Sequence, residues 1–111
     1  MTNPVQQQLE AYNDRDIDRF MDAYVPEARY EDGDGGAILT GAQEMREFFG
    51  AMFANSPELH CDVVSRISVG DWVIDEEQVT GVQAKGLPEE IHAAVAYKVE
   101  DGKITFARIL M

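Results

Sequence analysis

Disulfides, basic patches and long apolar runs are all missing from this 111-residue sequence. Cys61 is the single cysteine, so these residues cannot form an internal disulfide, and a lone thiol is typical of a reducing compartment. No apolar run approaches the roughly 20 residues that span a bilayer, and the opening MTNPVQQQLEAYN lacks the basic and apolar segments of a signal peptide. We therefore expect a cytoplasmic protein.

Positive charge is also scarce. Lys and Arg total 9 against 21 Asp and Glu, which leaves a formal charge of −12. Nucleic-acid binding needs a basic stripe that displaces counterions from the phosphates, and anionic membranes repel an acidic surface. We therefore expect neither nucleic acid nor membrane as a partner. Hydrophobic residues make up 45% of the chain, which predicts one folded domain over 1–111.

The pattern of apolar residues changes near the middle of the chain. Up to residue 53 they recur every three or four positions, which predicts three amphipathic helices. Asp14 or Asp16 is the predicted cap of the second helix and Pro26 its end, and Thr40 or Gly41 begins the third helix. A glycine-rich turn at 33–36 predicts a short hairpin. Period-two patterns then predict four antiparallel strands at 59–69, 72–83, 91–100 and 104–111.

This order predicts an α+β domain with the helices on one face of the sheet. Apolar residues occupy both faces of the last two strands, for example Val95 with Ala96 and Phe106 with Ala107. The face away from the helices therefore needs a cover, and we predict a homodimer through the sheet.

The motifs LEAYN (9–13), RDIDRFMDAY (15–24), YEDG (30–33), GAQEMREFF (41–49) and DGKI (101–104), in this order, resemble the nuclear transport factor 2-like superfamily. Within it, the chain is most similar to the SnoaL-like polyketide cyclase and ketosteroid isomerase branch. The resemblance implies a cone-shaped fold, in which three N-terminal helices pack on a highly curved, mostly antiparallel sheet around an apolar pocket. It implies no cofactor. Since that superfamily includes isomerases, cyclases, dehydratases, hydrolases and proteins without known chemistry, the fold does not select an activity.

Asp32 is the residue that the resemblance implies as a general base, because it stands in the matching Glu-Asp pair after the second helix. A carboxylate can act so only if an apolar wall lifts its pKa from about 3.9 and the substrate C–H lies within reach. The alternative is that Asp32 caps the turn at 33–36.

The two hydrogen-bond donors of the isomerase branch are absent. The resemblance places Gln8 at the position of its tyrosine donor and Val95, or a neighbour within one residue, at that of its acidic donor. Losing one such donor typically costs about 10²–10³ in rate, which argues against efficient steroid isomerisation. Tyr30 and Tyr97 are the best substitutes, since Tyr30 shares strand parity with Asp32 and Tyr97 with Val95.

The expected pocket comprises residues in elements that line the cone in this branch, together with aromatic and methionine side chains that suit an apolar ligand. They are Tyr12, Tyr24, Phe49, Phe53, Val95, Tyr97 and Met111.

No metal is expected. His60 and Asp62 share one side of a strand and Cys61 takes the other, so only two ligands converge. By parity His92 should face away from the cone. The acids at 75–77 cross a strand, so some face inward and some outward; we favour a solvated edge, with Arg66 and Arg108 as neutralising partners.

Two functions stay open at this point. The first is a binding protein that holds a small apolar molecule without catalysis. The second is a cofactor-independent isomerase or cyclase that uses Asp32 as general base on an apolar carbonyl or polyketide-like substrate.

Overall fold

The computed structural model describes residues 3–111 and contains three helices and six strands. In chain order they are α1 (Pro4–Asp14), α2 (Ile17–Asp22), β1 (Tyr24–Glu31), β2 (Ala37–Thr40), α3 (Gly41–Asn55), β3 (His60–Val69), β4 (Trp72–Thr80), β5 (Ile91–Glu100) and β6 (Lys103–Leu110). This confirms the α+β class. Within the described residues, no helix has the length and apolar character needed to cross a bilayer.

The six strands form one mixed sheet in the order β2-β1-β6-β5-β4-β3. β3 to β6 make an antiparallel meander, as the period-two patterns predicted, and β1 and β2 form the short hairpin. β1 joins β6 in parallel, the one parallel pair among the described strands. This pairing brings the N-terminal third of the chain against its C-terminal strand.

Capping residues set the helix ends. Asn3 Oδ1 accepts a hydrogen bond from the Val5 N–H, and Asp16 Oδ1 accepts one from the Arg19 N–H. The prediction that Pro26 ends α2 was wrong, because α2 stops at Asp22 and Pro26 lies inside β1. Proline favours extended backbone before it, which suits a strand as well as a helix end.

The helices pack against one side of the sheet, which we call the inner face. Its alternating positions are buried, as Val73 and Val79 on β4 and Val95 and Tyr97 on β5 show. We call the opposite side the outer face. On it or at its edges several apolar side chains are exposed: Val64, Ile67, Val69 and Leu110.

Candidate functional site

An apolar pocket of about 150 Å³ lies between the helices and the inner face. Ile38 and Met111, both exposed, mark its mouth, and Phe20 and Phe49 form part of its interior. The other residues of its wall come from every layer of the fold: Gln8, Leu9, Tyr12, Tyr30, Leu39, Phe48, Met52, Cys61, Glu77, Val79, Leu87, Ile91, Ala93, Tyr97 and Ile109.

Among the described residues, Glu77 is the one charged side chain in this wall, and it is 9% exposed. Burial removes water from its carboxyl group and raises its pKa from 4.5 to about 7, an effect to which the nearby charge of Asp75 adds. The hydroxyl of Tyr97 donates to Glu77 Oε2 at 2.9 Å and opposes that rise by stabilising the ionised form. The carboxyl group can therefore exchange a proton near neutral pH.

A chain of hydrogen bonds runs behind Glu77 into the core. The Tyr24 hydroxyl donates to Gln8 Oε1 at 3.3 Å, and Gln8 Nε2 donates to the Tyr97 hydroxyl at 3.4 Å. Tyr97 in turn donates to Glu77. Gln8 thus orients the hydroxyl of Tyr97, which donates to Glu77.

Three further polar side chains face the pocket near Glu77. The Cys61 thiol lies in the wall with Glu77 and lowers the pKa of that carboxyl group, whereas burial raises the pKa of the thiol itself, so the thiol stays protonated. Burial likewise raises the pKa of Tyr12 and Tyr30. The Tyr12 hydroxyl is directed at the Met52 sulfur at 3.5 Å, a weak acceptor, so its proton is available to a bound molecule.

Asp75 lies two positions before Glu77 on the same face of β4 and is fully buried. Arg66 on β3 holds it by two parallel hydrogen bonds, from Nε at 2.6 Å and from a terminal nitrogen at 2.9 Å. A bulge between Val63 and Ser65 shifts the register of β3 and places Arg66 opposite Asp75. Arg66 also donates to Gln6 Oε1 on α1 at 2.9 Å.

Asp32 is not where a general base would have to be. It is exposed, and its Oδ1 accepts hydrogen bonds from the N–H groups of Asp34 and Gly36, both at 2.9 Å. A Cβ at Gly36 would lie 2.9 Å from the Asp32 carboxylate, so a larger residue there would displace the capping side chain. The structure therefore corrects the expected position of Asp32 and shows the turn-capping alternative, because a short Asp side chain satisfies nearby backbone donors.

The other predicted site residues divide into two groups. Tyr12, Tyr30, Phe49, Tyr97 and Met111 line the pocket. The remaining three are buried outside its lining: Tyr24, whose hydroxyl turns to Gln8; Phe53, whose ring packs edge-on against Tyr12; and Val95, which lies between Asp75 and Ile109 on the neighbouring strands.

The histidines lie away from the pocket. His60 Nε2 lies 3.0 Å from Asp62 Oδ1 on the exposed side of β3, whereas Cys61 points inward. His92 faces outward, as its parity predicted, and lies 2.7 Å from Glu76 Oε2. The predicted roles of the arginines hold, since Arg66 pairs with Asp75 and Arg108 with Glu31 at 2.9 Å.

Sequence reasoning missed the inward orientation of Asp75 and Glu77. The signal was present, because Val73, Asp75, Glu77 and Val79 alternate and the two valines require burial. Extending that alternation through the acids would have placed both on the inner face.

The family model of the SnoaL-like domain matches residues 5–107, nearly the whole chain. No curated protein matches the chain in sequence.

Solved structures with the same fold extend over nearly all of this chain. An uncharacterized cystatin fold protein from Novosphingobium aromaticivorans is 24% identical with a TM-score of 0.88, covering 100% of this chain and 99% of its own. A nuclear transport factor 2-like protein of unknown function from Cytophaga hutchinsonii is 16% identical (TM-score 0.76; 96% and 84% covered). An epoxide hydrolase of M. tuberculosis, described as LEH-like, is 20% identical (TM-score 0.79; 96% and 78% covered). At these identities the similarity shows the fold alone.

Proposed function

Since the chain belongs to the SnoaL-like domain family of the nuclear transport factor 2-like superfamily, we propose that it binds a small, largely apolar molecule in the pocket and moves a proton on it with Glu77. The observation that carries this proposal is the Glu77 carboxyl group, buried in an apolar wall with a pKa of about 7. A base works best when its pKa lies near the working pH.

The size of the pocket limits the substrate. An engineered apolar cavity of about 150 Å³ in another protein holds a molecule of the size of benzene. The pocket here has about the same volume, so it accommodates a compound of about one ring and not a steroid nucleus.

The charge of the pocket limits the substrate as well, because the lining includes an acid and no Lys, Arg or His among the described residues. An anionic group would therefore be repelled there.

The proposed step uses this chain's own side chains. The Glu77 carboxylate removes a proton from the carbon next to a carbonyl group. The C–H bond breaks, a carboxyl O–H bond forms, the C–H electron pair becomes a carbon–carbon π bond, and the carbonyl π electrons move to the oxygen. The Tyr12 hydroxyl, which has only the weak Met52 sulfur as a partner among the described residues, donates to that oxygen. Glu77 then returns the proton to the same or another carbon.

Deuterium exchange tests this step directly. Cyclohexanone in D2O at pH 8, followed by proton NMR, should lose its α-hydrogens faster with the protein than without it. Glu77→Gln should lower the catalysed rate by about 10²-fold or more, because it removes the base and keeps the shape of the side chain. Glu76→Gln, a change at the adjacent outward-facing residue, is the matched control and should exchange like wild type.

Binding without catalysis is the second candidate function. It is favoured by the hydrogen-bond chain from Tyr24 to Glu77, in which the polar groups satisfy one another. Here cyclohexanone should raise the melting temperature of wild type and Glu77→Gln alike, with no exchange in either. Tryptophan fluorescence is a poorer readout of binding than melting temperature, since Trp72 packs on Phe106 at the outer face and does not line the pocket.

A further inference from the structure

The inner face of β4 carries two carboxyl groups, and among residues 3–111 Arg66 is the one cation close to both. Asp75 and Glu77 point to the same side, and Arg66 faces both. Arg66 gives two of its nitrogens to Asp75 and a third to Gln6, so its hydrogen-bonding capacity is directed away from Glu77. In the part of the chain that the structure describes, the hydrogen-bond donor to Glu77 is the uncharged Tyr97 hydroxyl.

We propose that Asp75 is a positioning residue, which by holding Arg66 leaves Glu77 as the carboxyl group in the pocket that can exchange a proton with a bound molecule. The proposal rests on the function proposed above and names a residue that acts on Glu77 without touching the ligand. Asp75 lies outside the pocket lining, and its own carboxyl group is held at both oxygens.

The geometry of the pair explains why the arrangement is stable. A guanidinium group binds a carboxylate through two parallel N–H donors, and this geometry favours Asp75 over a second acid that would receive only one. The Gln6 amide oxygen satisfies a third nitrogen and fixes the direction of the arginine side chain. Arg66 is therefore prevented from forming the ion pair that would keep Glu77 permanently ionised.

The charges around Glu77 agree with this inference. Asp75 raises the pKa of Glu77 and Arg66 lowers it, and the effect of Asp75 is the larger. The other titratable groups that face Glu77 or act on it are neutral at pH 7, since burial raises the pKa of each: Tyr12 on α1, Tyr24 and Tyr30 on β1, Cys61 on β3 and Tyr97 on β5. Within residues 3–111, Asp75 and Arg66 are thus the charges that act on the pKa of Glu77.

The test is an NMR titration of Glu77 in the full, ligand-free chain labelled with ¹³C at the glutamate side chains. Glu77→Gln identifies the resonance. Asp75→Asn should lower the pKa of Glu77 by about one pH unit or more, because it removes the repelling charge and frees Arg66. The double variant Asp75→Asn, Arg66→Gln should bring the pKa back toward the wild-type value. Asp62→Asn, which removes one negative charge from the exposed side of β3, is the control and should leave it unchanged.

Arg66→Lys provides a second route if Asp75→Asn does not fold. Lysine keeps the charge but cannot hold Asp75 with two parallel donors, so the ammonium group should be shared with Glu77 and the pKa of Glu77 should fall. An unchanged Glu77 titration in folded Asp75→Asn, or in Arg66→Lys where that variant replaces it, overturns the proposal.

The pH dependence of cyclohexanone exchange separates this proposal from the proposed function. If both hold, the acid limb of the exchange rate moves to lower pH in Asp75→Asn together with the NMR titration. If the titration moves as expected and wild type exchanges nothing, the positioning role stands and the catalytic function fails.

Discussion

Glu76 and Glu77 are adjacent residues of the same type on one strand, and they lie in opposite environments. Glu76 faces outward, where His92 lies 2.7 Å away and the Ser65 hydroxyl donates at 3.1 Å, and these two contacts lower its pKa. Glu77 faces inward, where loss of water raises its pKa to about 7. The comparison teaches that the face of the strand, and not the residue type, determines which acid can do chemistry.

The same contrast separates Asp32 from Glu77. Asp32 has the position that the family resemblance singled out, yet it lies in water and binds two backbone N–H groups. Glu77 has no such motif around it, but it lies among apolar side chains and accepts from a buried tyrosine. A carboxyl group becomes a base near neutral pH through its surroundings, which a local motif does not describe.

Of the substitutions that test the contrast between Glu76 and Glu77, the one that removes the buried charge should change the free energy of unfolding most. The folded-state pKa of Glu77 lies above its value of 4.5 in the unfolded chain, so ionised Glu77 destabilises the fold. This cost is absent below pH 4.5, grows as the pH rises and is complete above about pH 7, where it amounts to about 3 kcal/mol. Glu77→Gln should therefore stabilise the protein at pH 8 and have little effect at pH 4.5.

Urea denaturation at the two pH values measures this difference. In the Glu77→Gln variant Tyr97 can still donate to the new amide oxygen, so the hydrogen bond is not the variable. Equal stabilisation at both pH values would mean that Glu77 titrates normally in the folded state.

A smaller effect, on self-association, is expected from a substitution on the outer face. Ile67 is 56% exposed and pairs with Ile74 across the sheet, in the apolar region through which we predict a homodimer. Ile67→Lys should weaken self-association at least about tenfold, since it places a charge where apolar surface would be buried. Gln43→Lys on the exposed side of α3 adds the same charge elsewhere and should not. Sedimentation at micromolar concentration decides, and a monomeric wild type would disprove the dimer.

Glu76→Gln should have the smallest effect, a nearly unchanged stability. Its side chain is 41% exposed, so water screens its contact with His92. The urea midpoint should stay almost unchanged at pH 8 and at pH 4.5. A large loss at either pH would show that the outer face contributes more to stability than its exposure implies.

Much of the fold could be predicted from the sequence because it follows from local rules. Period-two alternation over 91–100 and the turn residues Asp101 and Gly102 predict the β5–β6 hairpin without any knowledge of neighbours. The capping aspartate of α2 is equally local. The end of α2 could not be predicted locally, because Ala23 and Tyr24 pair in parallel with β6 residues about 80 positions later in the chain.

The site was predictable only in part. Tyr12, Phe49, Tyr97 and Met111, expected in the pocket wall, and Tyr30, expected as a hydrogen-bond donor, line the pocket, because apolar and aromatic side chains are buried wherever the strand or helix turns them inward. Acidic side chains usually lie at the surface. The sequence at 75–77 was therefore interpreted as a solvated edge, and the acid inside the pocket was not predicted.

By itself, the sequence determined the class of fold, the family and the chemical character of the pocket wall, because these depend on periodicity, on turn residues and on the balance of apolar and charged side chains. Only the tertiary structure decided which of the two inward-facing carboxyl groups of β4 is paired with a cation and which faces the pocket. That choice depends on a bulge in β3 that turns Arg66 toward Asp75 and on a tyrosine from β5 that reaches Glu77. Such contacts join residues far apart in the chain, and the burial that raises a pKa exists only once those strands have come together.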